Sequence, residues 1–296
     1  SLQDYLLTNK YDIIQCEFVP CLTLWEILPK QSKRIFIHHE LSFVCVDRTL
    51  NTLNPWSRFL LRYQSYKKKK AEIKMLQSFD GVIVFSHIDK SKLSKYISPN
   101  KLYVSPFAVK TNAFKDINKQ FRFNGKLLFM GGSIHYPNVD GLHWFIKEVW
   151  QDNELEANLD ILGKWSEAII KKYSVYPNIV FQGFVSNIND FMEGCILIVP
   201  LRIGSGIRTK ILEAFAAGLP VITTSIGVEG IEVKDGIHCL IANTPDEFMA
   251  SIKLMVNNTK LQLKLSKNAR SFVQEYYSIE RCTEQRKLVL EQICEE

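Results

Sequence analysis

No cysteine motif, no long apolar run and no common nucleotide-binding glycine signature occurs in this 296-residue chain. Its seven cysteines, at 16, 21, 45, 195, 239, 282 and 294, form no CxxC pair and no Cys/His cluster, and their number is odd. That argues against a zinc site and a disulfide framework, and favours a reducing, cytoplasmic setting. No stretch reaches the roughly eighteen apolar residues that a membrane span needs. Residues 1–10 are not a basic stretch leading into an apolar one, so they do not read as a signal peptide. A P-loop would need GxxxxGK[ST], which is absent. The turn Gly204-Ser205-Gly206 misses the dinucleotide fingerprint because Thr209 stands where the third glycine belongs.

What is present is an ordinary globular composition, 46% hydrophobic and 23% charged, enough for one large or two moderate cores. The net charge of +6 is unevenly spread. Residues 1–109 hold 16 Lys and Arg against 9 Asp and Glu, while residues 110–296 hold 21 against 22. The excess therefore lies in the first third. That points to an anionic partner or surface there and away from a generally basic nucleic-acid binder.

Short β-branched and aromatic runs alternate with helical stretches. The strand candidates are 12–18, 34–38, 81–85, 102–104, 126–130, 159–162, 179–182, 196–199, 220–223 and 239–241. Helices are expected over 56–78, 139–149, 166–172, 209–217 and 245–255. Such alternation implies α/β architecture with parallel sheets. The polar, aperiodic stretch 105–124 reads as a linker between two domains. Ligands of such sheets bind at the carboxyl ends of strands, so the loops after residues 18, 38, 130, 162, 182, 199 and 223 matter most.

The strongest segment is IVPLRIGSGIRTKILEAFAAGLPVITTSIGVEG, residues 198–230. A buried strand ends at Pro200, Gly204 and Gly206 flank Ser205, and a helix follows. Glycines let backbone approach a ligand, and the first amides of the helix point outward as an anion cradle. Arg208 and Lys210 stand at the positive end of the helix dipole, an unfavourable place that a bound diphosphate would offset. Glu213, a turn later, is placed to accept hydrogen bonds from sugar hydroxyls. The plainer alternative is a tight turn with solvated basic residues.

This segment resembles the donor-binding helix of glycosyltransferase family 4, the group 1 glycosyltransferases. Their second motif Glu, followed by A-x-A-x-G-x-P-V, matches Glu213 and Ala214, Ala216, Gly218, Pro220 and Val221. The first motif Glu falls on Ser205, a departure shared with a GSGIRTK sub-branch. The resemblance implies ribose contact for Glu213 and places Ser205 where the donor sugar is met. LLFMGGSIHYPNVDGLHWF (127–145) resembles the first donor-domain strand, with Gly131 and Gly132 at the diphosphate and Asn138 as the helix N-cap. LDILGKW (159–165) and NIVFQGFVSNINDFM (178–192) resemble the next strand–loop segments. There Gly163 forms a turn, and Phe184 and Val185 lie near the base. YDIIQCEF (11–18) and RIFIHHELSFVCVDR (34–48) resemble acceptor-domain segments, with His39, or less so His38, near the reaction centre.

The resemblance implies a GT-B fold of two Rossmann-like domains. Residues 1–109 form a partial acceptor-side domain, short of the family's opening units by roughly a hundred residues. Residues 110–277 form the donor-binding domain, and 278–296 a helix returning to the first. It further implies retaining, metal-independent transfer from a nucleotide-diphosphate sugar to a glycan or lipid-linked acceptor, with no cofactor. A sugar-nucleotide 2-epimerase and a non-catalytic nucleotide-sugar-binding module are the alternatives. Lys67, Lys68, Lys69 and Lys70 follow Trp56, Phe59, Leu60, Tyr63 and Tyr66 on a helix. This stretch suits either an anionic lipid surface at the inner membrane face or a solvated helix face.

Overall fold

The computed structural model describes residues 1–52, 55–113, 122–150 and 157–295. The first part runs α1 (Leu2–Thr8), β1 (Ile13–Glu17), β2 (Lys33–His38), α2 (Ser42–Thr52), α3 (Pro55–Leu76), β3 (Gly81–Val84), α4 (His87–Leu93) and β4 (Leu102–Val104). Its strands form a parallel sheet in the order β1-β2-β3-β4. The second part runs β5 (Lys126–Met130), α5 (Tyr136–Trp144), β6 (Asn158–Leu162), α6 (Glu167–Tyr173), β7 (Ile179–Gly183), α7 (Asn189–Met192) and β8 (Ile196–Val199). It continues with α8 (Thr209–Ala217), β9 (Val221–Thr223), β10 (Leu240–Ile241), α9 (Pro245–Val256), α10 (Thr259–Tyr276) and α11 (Ile279–Glu295). This sheet is parallel, in the order β10-β9-β8-β5-β6-β7.

The strands are apolar runs because helices cover both faces of each sheet. In the first sheet, Phe36, Val82 and Val84 pack with Leu22, Leu76, Phe79 and Leu93, while Ile35, Ile37 and Ile83 pack with Val289 and Ile293 of α11. Each such side chain contributes roughly 1.5–3 kcal/mol by leaving water. Gly81 makes the return of α11 possible, since a Cβ there would stand 2.7 Å from Ile293 Cδ1. In the second sheet, Leu128, Leu197 and Val221 face Ile211, Leu212 and Phe215 of α8, and Phe129, Ile198 and Ile222 share the other core with Phe145 and Phe248.

All ten strand candidates form strands, with ends shifted by a residue at most. One detail of the sequence reading is corrected. Asn138 is not an N-cap, because α5 begins earlier, at Tyr136, with Pro137 in its first turn and His135 at the cap. Proline has no N–H to satisfy and its fixed φ suits that position. The helix ends in a π turn, Phe145–Val149. The 3-10 segment Val19–Ile27 was not foreseen, since it has no 3.6-residue period. Of the expected linker 105–124, residues 114–121 lie outside the described residues. Val109 donates its N–H to Tyr277 O at 2.8 Å and bridges Ser278, so two chain crossings run side by side.

Candidate active site

In the second sheet, β5 has β6 on one side and β8 on the other, so the winding direction reverses there. A crevice opens beyond the carboxyl ends of strands at such a switch point. One lip is Met130-Gly131-Gly132. Gly131 donates its N–H to Leu162 O and Ser133 to Lys164 O, both at 3.0 Å. Gly163 has a φ of 120°, and a side chain there would overlap the Gly131 carbonyl. Its absence lets the ends of β5 and β6 close together, a stricter demand than a turn. Asn138 packs under Gly131, with Nδ2 3.3 Å from Gly132 O.

The other lip is the loop from β8 to α8. Arg208 is the N-cap of α8 but makes no side-chain cap, and no acidic residue stands in the first turn. The first amides of the helix are therefore left to whatever anion enters. Lys210 reaches across the switch point. Its ammonium donates to Met130 O and, at 3.0 Å, to Asn138 Oδ1. Burial, reinforced by the Arg208 charge, brings its pKa down from 10.5 to about 8. Glu213 is partly buried, and burial pushes its carboxyl up despite the opposing pull of Lys210.

The structure separates the roles of the two cations. Arg208 is only 8% exposed, and its guanidinium donates to the carbonyls of Ser205 and Gly206 and, at 3.5 Å, of Ile226. It holds the turn from within, donating to the carbonyls of two buried residues, Ser205 and Gly206, that need a donor there. Ser205, expected at the donor sugar, is also buried, and Oγ donates to Leu41 O at 2.9 Å. Phe184 is exposed beyond β7, with Lys164 Nζ 5.7 Å from its ring centroid, whereas Val185 packs on the core.

The first domain closes on this loop. Gly206 has a φ of 73°, and a side chain there would overlap the carbonyl of His39. The His39 ring stacks on Phe18 at 4.1 Å between centroids and meets Phe85 edge-on at 5.0 Å. Its Nε2 lies 2.8 Å from Glu17 Oε2. Phe18 holds a φ of 65°, a strained conformation for a non-glycine residue, beside the candidate catalytic ring. A cavity of about 610 Å³ opens there, with Ile13, Ile37, Phe85, Phe107 and Leu290 among its walls. His38 is different. It is buried, with Nε2 2.9 Å from Glu72 Oε1, and Ser42 donates to the same carboxylate.

A cluster that sequence reasoning missed spans the cleft. Arg48 donates to Gly204 O and to both oxygens of Glu229, and Lys92 donates to Glu229 as well. Burial alone would raise the Glu229 carboxyl, but these bonds hold it below its ordinary range. The loop from β8 to α8 is thus tied to the first domain at Gly204, Ser205 and Gly206. Glu17 could have been found from its place at a strand's carboxyl end; nothing local marks Arg48 as a partner of a residue 181 positions away. Among the described residues, no three His, Cys, Asp or Glu side chains are grouped to hold a metal ion.

Residues 124–258 match the sequence-family profile described as Glycosyl transferases group 1. Over that stretch, just under half of the chain, it is similar to the group 1 glycosyltransferases. The chain is 27% identical over 294 residues to an uncharacterized 44.6 kDa protein in the cps region of Klebsiella pneumoniae, covering 93% of this chain and 73% of that protein. It is 25% identical over 210 residues to the uncharacterized glycosyltransferase MJ1178 of Methanocaldococcus jannaschii, covering 69% and 57%. Among solved structures it is similar to TarM of S. aureus in a complex with Fondaparinux, alpha-GlcNAc-glycerol and UDP. The TM-score is 0.72 at 16% identity, over 98% of this chain and 58% of TarM. The chain therefore spans less than two thirds of MJ1178 and of TarM. The paired parallel-sheet domains are a GT-B fold.

Proposed function

We propose that the cleft transfers a glycosyl group from a nucleoside-diphosphate sugar to an acceptor hydroxyl, with retention and without a metal ion, in the synthesis of a surface glycan. The observation that carries this reading is Lys210. Its ammonium is drawn in beside the glycine lip at the switch point, next to helix amides that no side chain caps. A diphosphate would give both their missing counter-charge. The UDP bound to TarM accords with it.

In this reading the α8 amides and Lys210 meet the charge that grows on the leaving diphosphate as the sugar C1–O bond breaks. Gly131, Gly132 and Gly163 keep the lip bare so that phosphate can approach backbone. Glu213 takes the ribose hydroxyls, and the base lies near Phe184 and Val185. His39, oriented by Glu17, faces the sugar from the other wall. Arg208 and Ser205 act through the loop they hold. The acceptor is a glycan or a lipid-linked glycan, met beside the apolar cavity at His39 on the cytoplasmic side of a membrane that Lys67 and Lys70 approach. The test is a thermal-shift screen of nucleoside diphosphates, then release of the matching diphosphate from its sugar nucleotide with acceptor present. Indifference to every nucleoside diphosphate would end this reading.

A further inference from the structure

Helix α3 is 22 residues long, about 33 Å, and carries two unlike faces. The inner face is fixed to the domain. Ser65, Glu72 and Leu76 are buried there, and Glu72 bonds His38, the residue before His39. The outer face carries Trp56, Phe59, Tyr63 and Tyr66, which are 83%, 76%, 63% and 62% exposed. Spacings of three and four residues put these four on one stripe, and Lys67, Lys70 and Lys74 continue it. All three lysines are exposed, and Lys67 Nζ lies over the Tyr63 ring at 4.6 Å.

Not all of the lysine run belongs to this stripe. Lys69 points elsewhere, donating to Tyr96 Oη at 2.8 Å and lying over the rings of Phe43 and Tyr96. The sole acid of α3 is the buried Glu72, so the outer face carries positive charge without an exposed carboxylate. Four exposed aromatics in a row cost solvation free energy in water, and among the described residues only the Lys67 ammonium lies over one of their rings. Aromatic rings with lysines beside them fit the headgroup layer of an anionic bilayer, where rings enter the boundary and ammonium groups meet phosphates. A folded acidic partner would satisfy the lysines but not a row of rings along a single helix.

We propose that the outer face of α3 is a membrane-docking surface: Trp56, Phe59, Tyr63 and Tyr66 enter the interface of an anionic bilayer, and Lys67, Lys70 and Lys74 bind its headgroups. This rests on the transfer reading only for its purpose, which is to bring the cleft to an acceptor carried by the membrane. The inner face of the same helix holds His38, so docking sets the distance from the bilayer to the wall bearing His39.

The experiment is flotation of the protein with vesicles of phosphatidylcholine alone or with 30 mol% phosphatidylglycerol (a probe composition, about one anionic lipid in three). Wild type should float with the anionic vesicles and lose binding as salt rises. One lysine is worth roughly fivefold near such a surface, so K67Q/K70Q/K74Q should weaken binding on the order of a hundredfold. W56S/F59S should weaken it at low and high salt alike. Both variants should keep the wild-type melting temperature, because every altered side chain is exposed. Equal binding to neutral vesicles, or either variant floating like wild type, would overturn the proposal. So would lysine-dependent capture by heparin without flotation, which would indicate a soluble polyanion. Nucleoside-diphosphate binding by the same samples is read separately, so its failure strikes the transfer reading and leaves the docking result standing.

Discussion

Lys210 offers the sharpest test, because its partners make opposite demands on the free and loaded protein. Without a ligand the ammonium donates to two neutral oxygens, those of Met130 and Asn138, and burial, with the Arg208 charge and against the weaker pull of Glu213, brings its pKa to about 8. A diphosphate beside it would restore the ordinary value near 10.5. Binding then takes up a proton wherever free Lys210 is neutral. Affinity for UDP or GDP should hold steady up to pH 8 and then fall, approaching tenfold per pH unit toward 10.5. Replacing the group with a neutral chain of similar length, Lys210→Met, removes a charge-assisted contact to phosphate. That should cost about 1.5–3 kcal/mol of affinity below pH 8, roughly ten- to 150-fold, and flatten the alkaline fall. Stability has the opposite sign. The folded pKa lies below the unfolded one, so between pH 8 and 10.5 the unfolded chain holds the extra proton. The free protein should therefore gain stability as pH rises through that window, and Lys210→Met should abolish the gain. Titration calorimetry with UDP, UMP and uridine across pH 7–10 is the assay, since uridine has no phosphate and should be unaffected. Wild-type affinity of the variant for UDP, or an equal loss for uridine, would refute the placement of the diphosphate.

Arg208→Lys should lower the melting temperature with or without nucleotide, by about 2–4 kcal/mol of stability, because one ammonium cannot serve the three carbonyls that the guanidinium reaches. Glu213→Gln should weaken UDP binding by about 1–2 kcal/mol and leave a 2′,3′-dideoxy analogue nearly untouched; equal losses would remove Glu213 from the ribose. Gly206→Ala forces a side chain onto the His39 carbonyl from a φ of 73°. It should reduce sugar transfer far more than nucleotide binding, measured as kcat against Kd, and parallel losses would mean that the wall at His39 does not matter.

The fold was legible because its signals are local. Runs such as ILIV and GVIV are buried on both faces and read as strands without any partner being known. The glycine turns were legible for a related reason. Gly163, Gly204 and Gly206 all hold positive φ, which the chain advertises by residue type. Side-chain destinations were not. Arg208 and Lys210 are two residues apart and equally cationic, yet one is spent on its own loop and the other crosses to β5. That choice depends on which carbonyls the folded loop strands, and no pattern in the sequence encodes it. The same holds for Ser205, whose hydroxyl ends on a carbonyl 164 residues away. Contacts between domains are the least legible, since each partner alone looks like an ordinary surface residue.

Those contacts give the loop from β8 to α8 a fixed shape. A loop built only by the second domain would carry Gly204, Ser205 and Gly206 as flexible backbone above a helix end. Here Arg48 holds the first carbonyl, Leu41 takes the Ser205 hydroxyl, and His39 backs onto Gly206. Every one of these partners comes from the segment after β2, which also carries the candidate catalytic ring. The loop that would bind the diphosphate and the side chain that would face the sugar are therefore held against each other by two hydrogen bonds and one close backbone approach. Preorganisation of that kind matters because catalytic groups lose their effect steeply when misplaced. It also accounts for Arg208 and Ser205 without assigning either to the substrate. Both fix the shape of a turn that leads into uncapped helix amides, which together with Lys210 would do the binding.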